Sequence, residues 1–128
     1  MLDIDNFKRV NDTYGHNVGD KVICRLSDII RQNVCEHCLF CRWGGEEFLI
    51  VMRCEHDPVK IAEAIRRDVE QNQMELENGE MLTFTVSIGV SLCESADPEV
   101  FTDRINDADQ AMFAAKKAGK NKVVCGLS

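Results

Sequence analysis

The sequence predicts an α/β fold in which helices pack on a central β-sheet. Apolar residues recur at helical spacing in three separate segments of the chain. LTFTVSIGVSL, residues 82–92, alternates apolar and polar residues, as a strand with one buried face does. Two apolar runs, LFCRW and EEFLIVM, flank Gly44-Gly45 and predict a hairpin whose turn holds both glycines at positive φ. This order of elements predicts a βαββαβ core with its helices on one face of the sheet.

The segment before the hairpin is predicted to contain one strand end and two helices. Residues 1–4 form the strand end, and residues 6–12 form a short helix. TYGHNVGD, residues 13–20, contains two glycines and is predicted to be a loop. The helix that follows runs over about 18–34, where apolar residues repeat at helical spacing.

Two Asp-Pro pairs, at 57–58 and 97–98, mark the starts of helices after the hairpin. Aspartate is a good N-cap, and proline fits the first helical position. ENGE at 77–80 is predicted to be a turn, and Gly119 is predicted to end the last helix. The final strand is predicted over 122–127.

Length and charge limit the classes of function. The 128 residues suffice for one domain, and the net charge of −7 argues against a broad nucleic-acid-binding surface. No apolar run reaches membrane-spanning length, and no signal peptide is visible. The seven cysteines are an odd number, which favours reduced thiols. We therefore expect a cytoplasmic domain without direct membrane contact. The longer protein that contains it can still be anchored by a membrane segment outside this domain.

Acidic residues cluster at the predicted strand end and at the hairpin. Asp3 ends the first strand, and Glu46 and Glu47 follow the two glycines. If the first strand pairs beside the hairpin, Asp3 and one of the glutamates meet at one end of the sheet, and the two carboxylates repel each other unless a cation lies between them. Such oxygen ligands suit Mg²⁺, which takes the rest of its shell from water and phosphates. The alternative is a pair of solvated acids at loop ends, which most surface acids are.

Lysines accompany these acids. Lys8 follows the first strand, and Lys116 and Lys120 lie four residues apart near the end of the last helix. Acids for a metal and lysines for phosphates are the components of a phosphoryl-transfer site. Taken alone, the two late lysines are better explained by the preference for cations at helix C-termini.

Four motifs, LDIDNFKRVNDTYGHNVGD, RWGGEEF, TVSIGV and DADQAMFAAKKAGKNKV, span residues 2–123 and together resemble the GGDEF family of diguanylate cyclases. The resemblance implies a palm or ferredoxin-like core, similar to that of nucleotidyl cyclases. It implies that two GTP molecules are joined into cyclic di-GMP with release of pyrophosphate. It also implies a second copy of the domain for catalysis and an upstream sensor or regulatory domain. Residues 1–128 would be a single GGDEF domain that lacks the family's first helix and wide turn, which leaves the activity of the fragment open.

The resemblance also assigns roles to the acids. Asp3, Glu46 and the Ile4 carbonyl would hold Mg²⁺, with Mn²⁺ as an alternative. Glu46 would act as base toward the attacking 3′-hydroxyl. Glu47 would bind a second metal or share the role of base, and the division between the two stays open because neighbouring acids titrate together.

Further positions match substrate contacts of the family. Asn11 and Asp20 would read the guanine edge, for which an amide and a carboxylate are chemically suited. His16 would contact the substrate or stabilise its loop. The lysines at 8, 116 and 120 would bind phosphates, Lys8 also stabilising charge in the transition state. Lys120 departs from the family's usual arginine, so weaker phosphate binding is expected there because lysine lacks the bidentate fork.

Two other classes of function fit the sequence less well. A non-catalytic GTP-binding signalling module is disfavoured because Asp3 and both glutamates are retained. A zinc or redox module built on the CEHC segment and Cys41 is disfavoured because no second ligand pair exists in the sequence. Cys35 and Cys38 instead occupy the positions where many family members carry the Arg-x-x-Asp site that binds the product. Thiols cannot make the charge-assisted contacts of that site, so no product inhibition is expected through it.

Overall fold

A computed structural model describes residues 1–53 and 56–126, which form seven strands and four helices. The strands are β1 (Leu2–Ile4), β2 (Leu39–Gly44), β3 (Glu47–Val51), β4 (Met74–Glu75), β5 (Met81–Leu82), β6 (Val86–Val90) and β7 (Val123–Cys125). The helices are α1 (Phe7–Tyr14), α2 (His16–Asn33), α3 (Pro58–Gln71) and α4 (Pro98–Lys117). None of the helices in the described ranges is both long and apolar enough to cross a membrane.

Five strands form the central sheet in the order β2-β3-β1-β6-β7, and β4 and β5 form a small separate hairpin. Strand β1 lies in the middle and pairs antiparallel with β3 on one side and with β6 on the other. Strand β7 pairs parallel with β6. The central position of β1 places its residues beside both the β2–β3 hairpin and β6.

Helices cover both faces of the sheet, so the expectation of helices on one face is wrong. Alternate residues of a strand point to opposite faces. Leu2 and Ile88 join the larger core, which also contains Leu26 of α2 and Ile65 of α3. On the opposite face, α4 packs so closely on Gly89 that its backbone occupies the space a side chain would need. The glycine of TVSIGV therefore opens the second face of the sheet to a helix.

The predicted loop over 13–20 is almost entirely helical. Helix α1 runs to Tyr14 and α2 begins at His16, so only Gly15 separates them. Gly15 has a φ of 92°, a conformation that glycine adopts at little cost. A single residue at positive φ is enough to redirect the chain, and the polar residues on either side remain in helices.

The predicted strand over 82–92 is divided into β5 and β6, and Leu92 is 52% exposed instead of buried. Strand β6 is buried on both faces, including Ser87 and Gly89. Alternation alone could not show this, because serine and glycine read as the exposed positions of a half-buried strand. The final strand is shorter than predicted, and Leu127 at its predicted end lies outside the described residues.

The turn of the β2–β3 hairpin lies one residue later than predicted. Gly44 pairs with Glu47, so Gly45 and Glu46 form the turn. Only Gly45 has a positive φ, of 37°. The register shifts between Arg42 and Gly44, and this irregularity moves the turn along the chain.

The Asp-Pro helix starts are confirmed. The Asp57 carboxylate accepts hydrogen bonds from the backbone N–H groups of Val59 and Lys60 at 3.1 and 3.3 Å. Asp97 accepts from the N–H of Glu99 at 2.9 Å. Each aspartate thus satisfies N–H groups that the first turn of a helix leaves without partners.

Candidate active site

The register of β1 brings the predicted acids together. Asp3 lies directly opposite Glu47 in the β1–β3 pair, and opposite residues of neighbouring strands project from the same face. The Ile4 N–H donates a hydrogen bond to the Glu46 carbonyl at 3.2 Å, which fixes the turn against the end of β1. The acids of two distant segments therefore lie at one end of the sheet.

Asp3 has the environment of an incomplete cation site. Asp3 is 6% exposed, and its Oδ2 lies 3.1 Å from Lys116 Nζ. Its Oδ1 is buried without a hydrogen-bond partner among the described residues. Buried carboxylate oxygens are rarely left without a partner, and a bound cation would supply one.

The residues around Asp3 fit a divalent cation that retains part of its water shell. Asp3 and the two hairpin glutamates offer carboxylate oxygens, which Mg²⁺ prefers. Within the described ranges, no three His, Cys, Asp or Glu side chains already surround a common metal position. Mg²⁺ does not require such a cage, because it commonly uses one or two carboxylates together with water and substrate phosphates.

Burial raises the pKa of Asp3 from its ordinary 3.8 to about 6. The loss of solvation is the largest cause, the hydrogen bond and charge of Lys116 oppose it, and the charges of Glu46 and Glu47 add to it. In the metal-free protein the ionised Asp3 is therefore unfavourable. A cation at this position would remove that penalty.

The raised pKa predicts how stability depends on pH in the metal-free domain. The folded state holds the Asp3 proton up to a pH of about 6, whereas the unfolded state releases it near 3.8. The stabilisation from Asp3 is thus complete below 3.8 and is lost as the pH rises through about 6. We expect Asp3→Asn to remove this decline and to raise the free energy of unfolding above pH 6. Urea denaturation across this range, with chelator present, measures it, and an unchanged pH profile in the variant would contradict the raised pKa.

The lysines predicted to bind phosphates lie at the same end of the sheet. The last turn of α4 carries Lys116 to Asp3, and Lys120 Nζ donates a hydrogen bond to Asn6 Oδ1 at 2.6 Å. Lys120 and Asn121 both have left-handed backbone conformations, with φ of 65° and 50°. The end of α4 and the turn after it therefore bring Lys116 and Lys120 to the end of β1, where each contacts a side chain of the protein.

A cavity of about 320 Å³ collects most of the predicted substrate contacts. It is lined by residues of α1, α2 and the hairpin: Phe7, Lys8, Asn11, His16, Asp20, Ile23, Arg42, Gly45 and Glu46. Its volume falls in the range of small-molecule sites. A larger cavity of about 790 Å³ between β3, β6 and α4 contains none of the predicted site residues.

Gly19 makes room for Asn11, which lines this cavity, and the sequence reasoning missed this role. A Cβ at Gly19 would lie 2.0 Å from Asn11 Oδ1 and 3.2 Å from Phe7 Cζ. Because Gly19 has no side chain, the Asn11 amide can lie between α1 and α2. In the sequence, Gly19 was one of the two glycines that predicted a loop over 13–20, so it gave no sign of this packing role.

Asp5 is a second missed residue, and it fixes the turn that carries Lys120. It is 3% exposed and accepts hydrogen bonds from Thr85 Oγ1 at 2.8 Å, Ser87 Oγ at 2.7 Å and the Asn121 N–H at 2.9 Å. These donors lie 80 or more residues away along the chain. No local pattern in the sequence identified them.

Arg42 holds the hairpin turn from the side of β2. Its Nε donates a hydrogen bond to the Gly45 carbonyl at 2.6 Å. The guanidinium also lines the 320 Å³ cavity. Arg42 thus adds a positive charge to this cavity, which the sequence reasoning did not assign.

The central sheet is flanked by helices and carries an acidic hairpin beside a cavity lined by charged residues, so the chain is a mixed α/β domain with a candidate site at one end of its sheet. The chain belongs to the GGDEF family, because the family model described as "Diguanylate cyclase, GGDEF domain" matches residues 1–122. The expected family and fold class are thereby confirmed. The roles of individual site residues remain predictions.

Curated relatives extend well beyond this chain. The diguanylate cyclase DosC of Escherichia coli (strain K12) is 36% identical over 125 residues, which cover 96% of this chain and 27% of DosC. An uncharacterized membrane protein of Staphylococcus aureus (strain USA300) is 40% identical over 126 residues, which cover 97% of this chain and 35% of that protein. The chain thus spans about a quarter to a third of the curated relatives it matches.

Solved structures share the fold over nearly the whole chain. The active GGEEF domain of a diguanylate cyclase from Vibrio cholerae matches with a TM-score of 0.87 and 33% identity, covering 99% of this chain and 80% of that one. The GGDEF domain of DgcB from Caulobacter crescentus, in complex with c-di-GMP, matches with a TM-score of 0.90 and 32% identity, covering 99% and 73%. The described strand order and helices are therefore those of a GGDEF domain.

Proposed function

We propose that this chain is the catalytic domain of a diguanylate cyclase, which condenses two GTP molecules into cyclic di-GMP and releases pyrophosphate. One observation carries the proposal: Asp3, with a buried oxygen that has no partner among the described residues, lies opposite Glu47, and the neighbouring Glu46 lines a cavity together with Lys8 and Asn11. Membership of the family supports it. DosC and the protein that contains the V. cholerae domain are both described as diguanylate cyclases.

We assign the divalent cation, Mg²⁺ or alternatively Mn²⁺, to Asp3, the Ile4 carbonyl and Glu46. When bound, the cation would neutralise the charge that develops on the phosphate oxygens. Glu46, with Glu47 as the alternative, accepts the proton of the attacking 3′-hydroxyl. That hydroxyl oxygen attacks the α-phosphorus of the other GTP, and the bond to pyrophosphate breaks.

The remaining cavity residues orient the nucleotide. Asn11 offers both an amide donor and an acceptor to the guanine edge, and Asp20 accepts from the guanine N–H groups. Lys8 lies exposed at the cavity, where its ammonium group can neutralise phosphate charge. His16 lines the same cavity and serves as a further contact or supports the turn at Gly15.

The ion pair of Lys116 with Asp3 implies an exchange of partners. In the metal-free protein, Lys116 neutralises Asp3 across 3.1 Å. A divalent cation held by Asp3 would neutralise this carboxylate in place of Lys116, and the Lys116 ammonium group would then be free to bind the terminal phosphate of GTP. Lys120 contributes a second charge to this phosphate site, with weaker geometry than arginine would provide.

Two copies of the domain are needed for the complete reaction. Each domain offers one such cavity and one acidic hairpin, whereas the product is built from two identical nucleotides. We therefore assign catalysis to a homodimer in which the two cavities face each other. A regulatory or sensor domain of the longer protein would control that approach.

The proposal is tested by incubating the parent protein with GTP and Mg²⁺ and separating the products by chromatography. We expect cyclic di-GMP and pyrophosphate, and no product when the metal is chelated. Binding of GTP without any product, even when dimerisation is enforced, would favour a non-catalytic GTP-binding module.

We expect Gly19→Ala to weaken GTP binding about tenfold, because the new methyl group displaces the Asn11 amide. A tenfold change corresponds to the loss of roughly one hydrogen bond between Asn11 and the nucleotide. Titration with a non-hydrolysable GTP analogue measures the affinity. Asn11→Ala and the double variant complete the comparison. If Gly19 acts through Asn11, the double variant binds no more weakly than Asn11→Ala alone. Additive losses would contradict this role of Gly19.

We expect no inhibition by cyclic di-GMP through the segment that precedes β2. Cys35 and Cys38 precede this strand and carry no formal charge when protonated, so they cannot bind phosphates as an arginine does. Adding cyclic di-GMP during turnover of the parent protein should leave the initial rate unchanged. Inhibition that Cys35→Ala removes would contradict this expectation.

A further inference from the structure

We infer that Cys35 and Cys38 form a reversible disulfide by exchange with a low-molecular-weight disulfide of the glutathione class. The two sulfur atoms already lie 3.0 Å apart in the reduced protein. Both residues are half-buried in the connection between α2 and β2. This modification site does not depend on the proposed enzymatic activity.

The backbone holds the two cysteines in a geometry suited to a bridge. The Cys38 N–H donates a hydrogen bond to the Cys35 carbonyl at 3.0 Å and closes a tight turn over residues 36–37. A disulfide needs a sulfur separation of about 2 Å, so only a small rotation of the side chains is required. No other pair of cysteine sulfurs in the described residues lies within hydrogen-bonding distance.

Both ends of the connection are anchored, so a bridge can form without unfolding the domain. The Val34 N–H donates to the Ile30 carbonyl at the end of α2, and Val34 packs against the main core. On the other side, Leu39 opens β2 by pairing with Val51, and Phe40 also packs on the core. The turn that contains the two cysteines is therefore presented by fixed elements.

The two thiols differ in reactivity. The hydrogen bond from Cys38 lowers the pKa of the Cys35 thiol, whereas burial raises the pKa of the Cys38 thiol. The thiolate is the attacking species in thiol–disulfide exchange. Cys35 is accordingly the first nucleophile, and Cys38 is the thiol that completes the bridge.

The exchange balances in two steps. The Cys35 thiolate attacks one sulfur of oxidised glutathione, forms a mixed disulfide and expels one glutathione thiolate, which takes up a proton. The Cys38 thiol then loses its proton, and the resulting thiolate attacks the Cys35 sulfur. This attack breaks the mixed disulfide and expels the second glutathione as a thiolate, which takes up a proton. The protein dithiol loses two electrons and two protons, and one oxidised glutathione becomes two reduced ones.

The short loop makes this a labile bridge. A disulfide stabilises a fold mainly by closing a loop of the unfolded chain, and the gain falls as the loop shortens. Only two residues separate Cys35 from Cys38. Bridge formation therefore follows the ambient ratio of oxidised to reduced glutathione, instead of being fixed by folding.

The test equilibrates the complete chain with glutathione buffers of increasing oxidised fraction, alkylates the remaining thiols, and maps the peptides by mass spectrometry. We expect one intramolecular bridge between Cys35 and Cys38, two hydrogen atoms lighter and removed by dithiothreitol. Cys41→Ser is the matched control, because Cys41 is exposed on β2 nearby, and it should leave the bridge intact.

Two single variants identify the order of attack. Cys38→Ser should accumulate a glutathione adduct on Cys35, because no second thiol completes the bridge. Cys35→Ser should form an adduct on Cys38 more slowly at the same pH. The inference fails if oxidation joins Cys38 to Cys41, or if the pair stays reduced in buffers that already modify Cys41.

Discussion

Replacing Asp3 by asparagine in the parent protein is expected to reduce cyclic di-GMP formation by about 10²–10³-fold. Losing a group that positions charge stabilisation in the transition state costs about this factor. Asparagine keeps the size of the side chain and removes the negative charge that holds both Lys116 and the proposed cation. The initial rate of product formation at saturating Mg²⁺ measures the effect, and Glu47→Gln should act in the same direction.

Asp28→Asn is the matched control for this substitution. Asp28 lies exposed on α2 and contacts Arg31 at 3.3 Å, so its loss removes only a surface ion pair. We expect the control to keep the full rate. The metal assignment would be wrong if Asp3→Asn retained activity with the same dependence on Mg²⁺.

Gly89→Ala is expected to produce the largest loss of stability, about 3 kcal/mol in the free energy of unfolding. The added Cβ would lie 2.0 Å from the Ala108 carbonyl oxygen and 2.3 Å from the Met112 backbone nitrogen. These atoms belong to the backbone of α4, so the clash is relieved only if the whole helix moves away from the sheet. Urea denaturation of wild type and variant measures the difference.

Gly44→Ala provides the control for the glycine substitution. A Cβ at Gly44 would meet no heavy atom within 4 Å, and Gly44 does not have a positive φ. This variant should be as stable as wild type or more stable by about 0.5 kcal/mol, because alanine restricts the unfolded chain. Equal stability of Gly89→Ala and Gly44→Ala would show that α4 does not pack on Gly89 as described.

The proposed cation site predicts opposite effects on activity and on stability at Asp3. A carboxylate that is unfavourable in the metal-free fold is the same one that the proposed cation needs. Asp3→Asn should therefore lose activity while it gains stability above pH 6 in the presence of chelator. Function and stability are expected to oppose each other at this residue.

The sequence was sufficient to identify the chemical groups of the candidate site. Asp3 and the two glutamates stood out because they interrupt apolar strand patterns at points where strands end. Asn11, His16 and Asp20 were assigned by resemblance, and the structure brings all three into one cavity with Glu46. The error over 13–20 did not disturb this, because α1 and α2 still present those residues to the same space.

What the sequence could not provide concerns contacts between distant segments. The sequence reasoning assigned no role to Asp5, but its buried carboxylate joins β1, β6 and the turn after α4. Gly19 and Gly89 looked like ordinary interruptions of regular patterns. Their importance depends on which atoms of another element lie above them, and local spacing carries no information about that.

By itself, the sequence determined most of the helices and strands, the helix caps at the two Asp-Pro pairs, the acidic hairpin and the family to which the chain belongs. These features depend on backbone preferences, amphipathic spacing and motifs that act within a few residues. Only the tertiary structure decided that β1 lies between β3 and β6, that helices cover both faces of the sheet, and that Asp3 pairs with Lys116. Those outcomes depend on packing between segments that lie up to more than a hundred residues apart, where the exclusion of solvent and the fit of facing surfaces select the contacts.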